Sequence, residues 1–167
     1  MANPFFSEAL AHDRARDLEK EAADRRKVHQ RVSDHLSNVG IFANCGRKEL
    51  RSIAKSAKIV TVHNGTQMIT EGEDGNTMYV ILDGSARVSR GGRRVATLGT
   101  GDTFGELALL SKGPRTATVV ATSDIEAAVI SRRQLYQLLE GDAPNFSRKL
   151  LEALANMVRE LDKKVVA

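Results

Sequence analysis

Residues 104–121 read FGELALLSKGPRTATVVA. The segment sets Gly105-Glu106 ahead of a short apolar turn. It then returns through Pro114-Arg115-Thr116-Ala117-Thr118 into a β-branched, apolar strand. Glu106 and Arg115 lie nine positions apart (115 minus 106), room enough for one turn and one loop to hold both around a small ligand. An ionised carboxylate at Glu106 accepts a hydroxyl hydrogen bond without needing a donor of its own. The planar fork of Arg115 matches two oxygens of a phosphate, which a lysine would match less well. Gly105 lets backbone approach an anion closely, and the Leu107 and Ala108 amides at the start of the turn are free donors for it. These groups together suit a ribose joined to a phosphate. Each also has an ordinary alternative: Glu106 as an exposed loop residue or a partner of Arg115, Gly105 as a simple turn former, Arg115 as part of a solvated face. Arg115 follows Pro114 and precedes an apolar strand, which holds its stem against the core.

Around this segment the hydrophobic period is two. From Lys58, the runs KIVTVHNG, QMITEG, TMYVILDG, SARVSR, RRVATLGTG, ATVVATSD and IEAAVISR are short and β-branched. Asn64-Gly65, Asp74-Gly75, Asp83-Gly84 and Gly91-Gly92 supply the turns between them. Regular short strands of this kind predict an antiparallel sandwich or barrel. The segment at Phe104 interrupts them with a short helical turn, Glu106 to Leu110, and an interruption in a β framework is where function concentrates. Strand position nominates Val80, Leu82, Leu107 and Val119 as an apolar lining for a base and sugar. Thr116 offers a hydroxyl to phosphate or base, and Thr118 belongs to the opposite face. Gly72, Gly75 and Gly84 are read as turn formers.

Both ends of the chain read as helical. Residues 7–31 are rich in Ala, Glu, Asp and Arg, with a thin apolar stripe of Ala11, Ala15, Leu18 and Ala22 that packs on a partner or stays solvated. Residues 32–57 predict two short helices, the first capped by Ser33 or Asp34, the second opened by Gly46 and turning Leu50, Ile53 and Ala54 inward. After Ile130, Ser131 and Gln134 have capping-box spacing and open a helix through Leu139 that Gly141 ends. Pro144 starts the last helix. Its stripe of Phe146, Leu150, Leu151, Leu154, Met157, Val158 and Leu161 must cover something apolar.

The 167 residues suffice for one domain with helical extensions, and 41% hydrophobic with 28% charged residues is ordinary for a globular chain. A net charge of +4 arises from interspersed signs; residues 8–31 hold seven Lys/Arg and six Asp/Glu, so no basic run points to nucleic acid. No run approaches the roughly 18 apolar residues of a membrane span, and no signal peptide is evident. Cys45 is the single cysteine and fits a reducing cytoplasm. His12, His29, His35 and His63 show no metal-ligand spacing, so no metal is expected.

The β runs, the GEDGNTMYVILDG segment and FGELALL…PRTATV resemble the cyclic nucleotide-binding domain shared by protein kinase A regulatory subunits, nucleotide-gated channels and the bacterial catabolite activator family. The resemblance covers about residues 39–165. It implies an α+β fold, an antiparallel β-roll of jelly-roll type with N-terminal helices, a short cassette helix and C-terminal helices. Residues 1–38 are then an N-terminal helical extension, 39–143 the β-roll with its phosphate-binding cassette at 104–118, and 144–167 a C-terminal lid or partner helix. Gly105, Glu106, Leu107, Ala108, Arg115, Thr116 and Ala117 become the ligand-binding set, Glu106 taking the ribose 2′-hydroxyl and Arg115 the cyclic phosphate.

A hydroxyl residue directly after the arginine occurs in cyclic GMP-preferring relatives and in bacterial cyclic AMP sensors alike; the expectation favours cyclic AMP. Relatives often cap the base with an aromatic or polar residue of the last helix. Here the cap falls to Leu154, Met157, Leu161, Asn156 or Arg159. The expected function is a non-catalytic, stand-alone cytoplasmic sensor without cofactor, whose last helix responds to the ligand and addresses a protein partner or a second copy. Direct nucleic-acid binding is not expected. The alternatives are a piece or relative of a catabolite-activator-type transcription regulator, channel or kinase subunit, and a scaffold that has lost its ligand.

Overall fold

The computed structural model describes residues 4–141 and 144–166. Helix α1 (Pro4–Leu36), a 3-10 turn at Gly40–Phe42 and helix α2 (Arg47–Ser56) precede the strands. These are β1 (Lys58–Val62), β2 (Gln67–Ile69), β3 (Thr77–Asp83), β4 (Ala86–Arg90), β5 (Arg93–Leu98), β6 (Thr103–Phe104), β7 (Thr118–Ala121) and β8 (Ile125–Ser131). Helix α3 (Leu107–Leu110) lies between β6 and β7, and α4 (Arg132–Gly141) and α5 (Pro144–Val166) follow β8. The strands form two four-stranded antiparallel sheets, ordered β1-β8-β3-β6 and β2-β7-β4-β5. This is the expected α+β roll, with helices before, within and after it. The expected boundary at residue 143 falls outside the described residues.

β3 explains why TMYVILD is almost continuously apolar. Its Met78, Val80 and Leu82 point to one side and join Val32, Leu36, Phe42, Ile53, Leu135 and Phe146 in a core between sheet and helices. Ile81 points to the other side, where it meets Phe104, Val119, Ile125 and Ala127 between the two sheets. A strand covered on both faces needs apolar residues at both parities. Tyr79 stacks on Phe104 with ring centroids 4.8 Å apart, closing the inter-sheet core beside the cassette.

The expected helix break at Ser33 or Asp34 does not occur. α1 runs through to Leu36, with Ser33 buried inside it and Asp34 accepting a 2.7 Å bond from Gln30 Nε2. Val32 and Leu36 lie one turn apart and are both wholly buried, so continuing the helix brings a second large side chain into the core. Residues 8–21 of α1 are exposed throughout. At α4 the capping box forms as read, with Ser131 N–H donating to Gln134 Oε1 at 2.7 Å and Gln134 N–H to Ser131 Oγ at 3.2 Å.

α5 divides its apolar stripe. Phe146, Leu150 and Ala153 are buried against the helical core, and Met157 lies on Gly40. Lys149 Nζ binds Glu49 Oε1 of α2 at 2.6 Å, fastening the start of the helix. Further round, Leu151, Val158 and Leu161 face solvent at 67%, 57% and 61% exposure. No helix among the described residues is long and apolar enough to cross a membrane, and none of their His, Cys, Asp and Glu residues cluster as a metal site.

Candidate ligand-binding site

The cassette wraps over a cavity of about 380 Å³ that opens between α3, the loop after it and sheet β2-β7-β4-β5. That volume lies in the range of small-molecule sites. Two backbone hydrogen bonds to one loop position the cassette. Arg115 N–H donates to the Glu73 carbonyl at 2.7 Å, and Gly72 N–H to the Arg115 carbonyl at 2.9 Å. The GEDG loop before β3 is therefore the seat on which the Pro-Arg-Thr run rests.

Arg115 is only 9% exposed. Its Nη1 donates to the Thr77 carbonyl at 2.8 Å and its Nη2 to Thr77 Oγ1 at 2.9 Å. The stem passes between two glycines. A Cβ on Gly105 would stand 2.6 Å from Arg115 Nη1, and one on Gly75 would overlap Arg115 Nε and Cζ. Gly105 also adopts φ +80°, a region that side chains disfavour. Gly75, read from sequence as a turn former, is instead the space the arginine occupies. Burial pulls the Arg115 guanidinium below its ordinary value; the neighbouring charge of Arg132 acts in the same direction and Tyr79 opposes it. An arginine nevertheless stays protonated. Among the described residues no carboxylate pairs with it. A buried cation without a counter-charge costs several kcal/mol, a cost that an anion in the cavity would offset.

Glu106 lines the same cavity, half-buried. Its carboxylate has neither hydrogen-bond nor ion-pair partner among the described residues, so it does not pair with Arg115. Of the two amides expected to be free, that of Ala108 donates to the Gly105 carbonyl at 3.1 Å. Closing this tight turn spends the donor, and the Leu107 amide alone is left open among the described residues. Leu107, Ala108, Thr116 and Ala117 all line the cavity with Gly105 and Arg115. Val119 lines it too, whereas Val80 and Leu82 face the helices on the far side of their sheet. The apolar walls come instead from Ile69, Val88, Ala96, Leu98 and Phe104. No described residue of α5 lines the cavity, so none of the nominated caps stands over it. The apolar start of α5 is committed to the helical core instead.

Three further residues belong to the site. Thr77 holds the arginine head, as described. Arg132, the first residue of α4, sends Nε to the Ala108 carbonyl and Nη2 to the Gly75 carbonyl, each at 2.7 Å. It ties the cassette helix and the seating loop to the start of the carboxy-terminal helices. Arg90, on β4, lines the cavity and donates from Nε to the Thr116 carbonyl at 3.0 Å. Nothing local in the sequence marks these positions; strand pairing brings them in.

A family model for the cyclic nucleotide-binding domain matches residues 59–142. The cAMP-dependent protein kinase regulatory subunit of Yarrowia lipolytica is 39% identical over 117 residues, 67% of this chain and 31% of that protein. The CRP-like cAMP-activated global transcriptional regulator of Mycobacterium tuberculosis is 28% identical over 139 residues, 80% of this chain and 62% of that protein. Among solved structures, the N-terminal domain of a transcriptional regulator from Streptomyces coelicolor superposes with a TM-score of 0.71 at 26% identity, covering 77% of this chain and 95% of that one. The chain thus spans 31% and 62% of the length of the two curated relatives.

Proposed function

The chain belongs to the cyclic nucleotide-binding domain family, and on that premise we propose that it is a non-catalytic cytoplasmic sensor of cyclic AMP. The single observation that carries this reading is Arg115, a buried cation without a carboxylate partner among the described residues, set in a cavity beside the unpartnered Glu106. A cyclic phosphate supplies the missing anion and a ribose hydroxyl the missing donor for Glu106. The choice of cyclic AMP is supported by the names of both curated relatives, a cAMP-dependent and a cAMP-activated protein. No covalent chemistry is assigned to the pocket: among the described residues, none of the lining hydroxyls of Thr103, Ser111 and Thr116 is hydrogen-bonded to a base.

The ligand acts through α5. Ordering the cassette pulls on Arg132, which holds both the Ala108 carbonyl and the start of α4. α4 then shifts α5 against α2 and the turn at Gly40, changing how Leu151, Val158 and Leu161 are offered to a partner protein or a second copy. A ligand drives such a shift only by its affinity difference between the two arrangements, typically about 1–3 kcal/mol.

Titration calorimetry with cyclic AMP, cyclic GMP and non-cyclic AMP tests the reading. Saturable binding of a cyclic nucleotide is expected, with Arg115→Ala weakening it about 100-fold, as loss of charge-assisted phosphate bonds implies. Glu106→Gln costs less, because an amide oxygen still accepts the ribose hydroxyl. Absence of binding for both cyclic nucleotides at millimolar concentration overturns the proposal.

A further inference from the structure

We infer that Arg90 reads the base of the nucleotide and recruits guanine, so that the pocket accepts cyclic GMP beside cyclic AMP; this rests on the cyclic-nucleotide reading above. Val88 and Arg90 are two apart on β4 and both face the cavity. The Nε bond to the Thr116 carbonyl anchors the guanidinium beside the residue that follows Arg115. Among the described residues Nη1 and Nη2 of Arg90 have no hydrogen-bond partner, and no carboxylate pairs with the side chain. Across the hairpin Arg90 stands directly opposite Arg93, an unfavourable pairing of like charges that an acceptor in the cavity relieves.

The chemistry around Arg90 separates a base from a second phosphate. Ile69, Val88, Ala96 and Leu98 make this part of the cavity apolar, which suits a flat purine and does not suit another anion. A guanidinium fork carries two parallel donors. Guanine presents two adjacent acceptors, O6 and N7, that match them. Adenine presents N7 beside the N6 amino group, so one donor meets a donor. A bidentate match of this kind discriminates by about 5- to 150-fold. Arg90 thereby raises affinity for guanine in a pocket whose phosphate and ribose contacts are indifferent to the base.

The test is titration of the full chain and its Arg90→Ala and Arg90→Lys variants with cyclic GMP, cyclic AMP and cyclic IMP, the last sharing the O6 and N7 edge. Arg87→Ala, on the same strand but outside the cavity lining, controls for net charge. Both Arg90 variants are expected to lose at least about fivefold in affinity for cyclic GMP and cyclic IMP, with cyclic AMP changing by less than about twofold. Lysine must not rescue, since a point charge lacks the fork. Equal losses for all three nucleotides, no change for any, or the same loss in Arg87→Ala each overturn the assignment and leave the sensor reading intact. Failure of the unaltered chain to bind any of the three overturns both.

Discussion

Arg115 and Thr77 form a two-point clamp, the guanidinium donating at once to the threonine carbonyl at 2.8 Å and to its hydroxyl at 2.9 Å. The backbone half of this clamp survives substitution, and the hydroxyl half does not. Thr77→Val, which keeps the shape, is expected to weaken cyclic nucleotide binding about tenfold through loss of one charge-assisted bond. Thr77→Ser should restore affinity. Calorimetry on the three proteins checks this, and equal affinity in all of them would show the hydroxyl to be idle.

Two glycines of one loop are expected to behave differently. A side chain on Gly75 overlaps the Arg115 head, whereas one on Gly72 meets no atom within 4 Å but must adopt φ +85°. Gly75→Ala therefore displaces the arginine and reduces affinity about tenfold or more. Gly72→Ala costs about 1 kcal/mol of stability by backbone strain and leaves binding near its original value. Thermal melts and titrations of the pair separate the two effects; similar binding losses in both would contradict the packing role of Gly75.

Arg132 is expected to transmit the signal while leaving the phosphate contact in place. In the unaltered chain, ligand should change amide exchange of residues 145–165 by about fivefold or more, the lower bound of ordinary coupling. In Arg132→Met the nucleotide still saturates the site, and the exchange response of α5 falls by more than half. An undiminished response would remove Arg132 from the path.

The bond between Glu49 and Lys149 should make the seating of α5 sensitive to acid. The Lys149 hydrogen bond holds the Glu49 carboxyl below the usual carboxylate range, against a smaller opposing effect of burial. A depressed folded value contributes stability that is complete above the ordinary carboxyl pKa of about 4.3 and is lost as pH falls below it. Glu49→Gln is therefore expected to lower Tm by about 2–4 °C near pH 7, and the difference should shrink as pH falls below the ordinary carboxyl range. A deficit independent of pH would point to packing and not to charge. The Cys45 thiol is an internal reporter: burial, and then the Glu49 charge, push it up to about 11, with Lys149 opposing. Its thiolate absorbance should appear at lower pH in Glu49→Gln.

The strand pattern was enough to predict an antiparallel sandwich or barrel, the resemblance carried by segment 104–121 narrowed it to a roll, and the segment itself nominated Gly105, Glu106 and Arg115, because turns, alternation and short spacings are local. Other features were settled by packing. α1 continues past Ser33 because Val32 and Leu36 find a core, and Val80 and Leu82 turn away from the cavity because helices cover the outer face of their sheet. Ala108 loses its free amide to the turn that closes on the Gly105 carbonyl. Thr77, Arg90 and Arg132 lie 38, 25 and 17 positions from Arg115, so no local spacing could bring them to it.

What the sequence determined by itself is which groups come together locally: a glycine, a carboxylate and an arginine suited to a phosphate and a ribose, on a β framework. What the tertiary structure decided is how those groups are arranged: which donor is free, which glycine makes room for Arg115, which further arginine lines the cavity. The physical reason is that residue type and short-range spacing set what a group is able to do. The direction in which it points is set by strand register and core packing, which depend on residues far away in the chain.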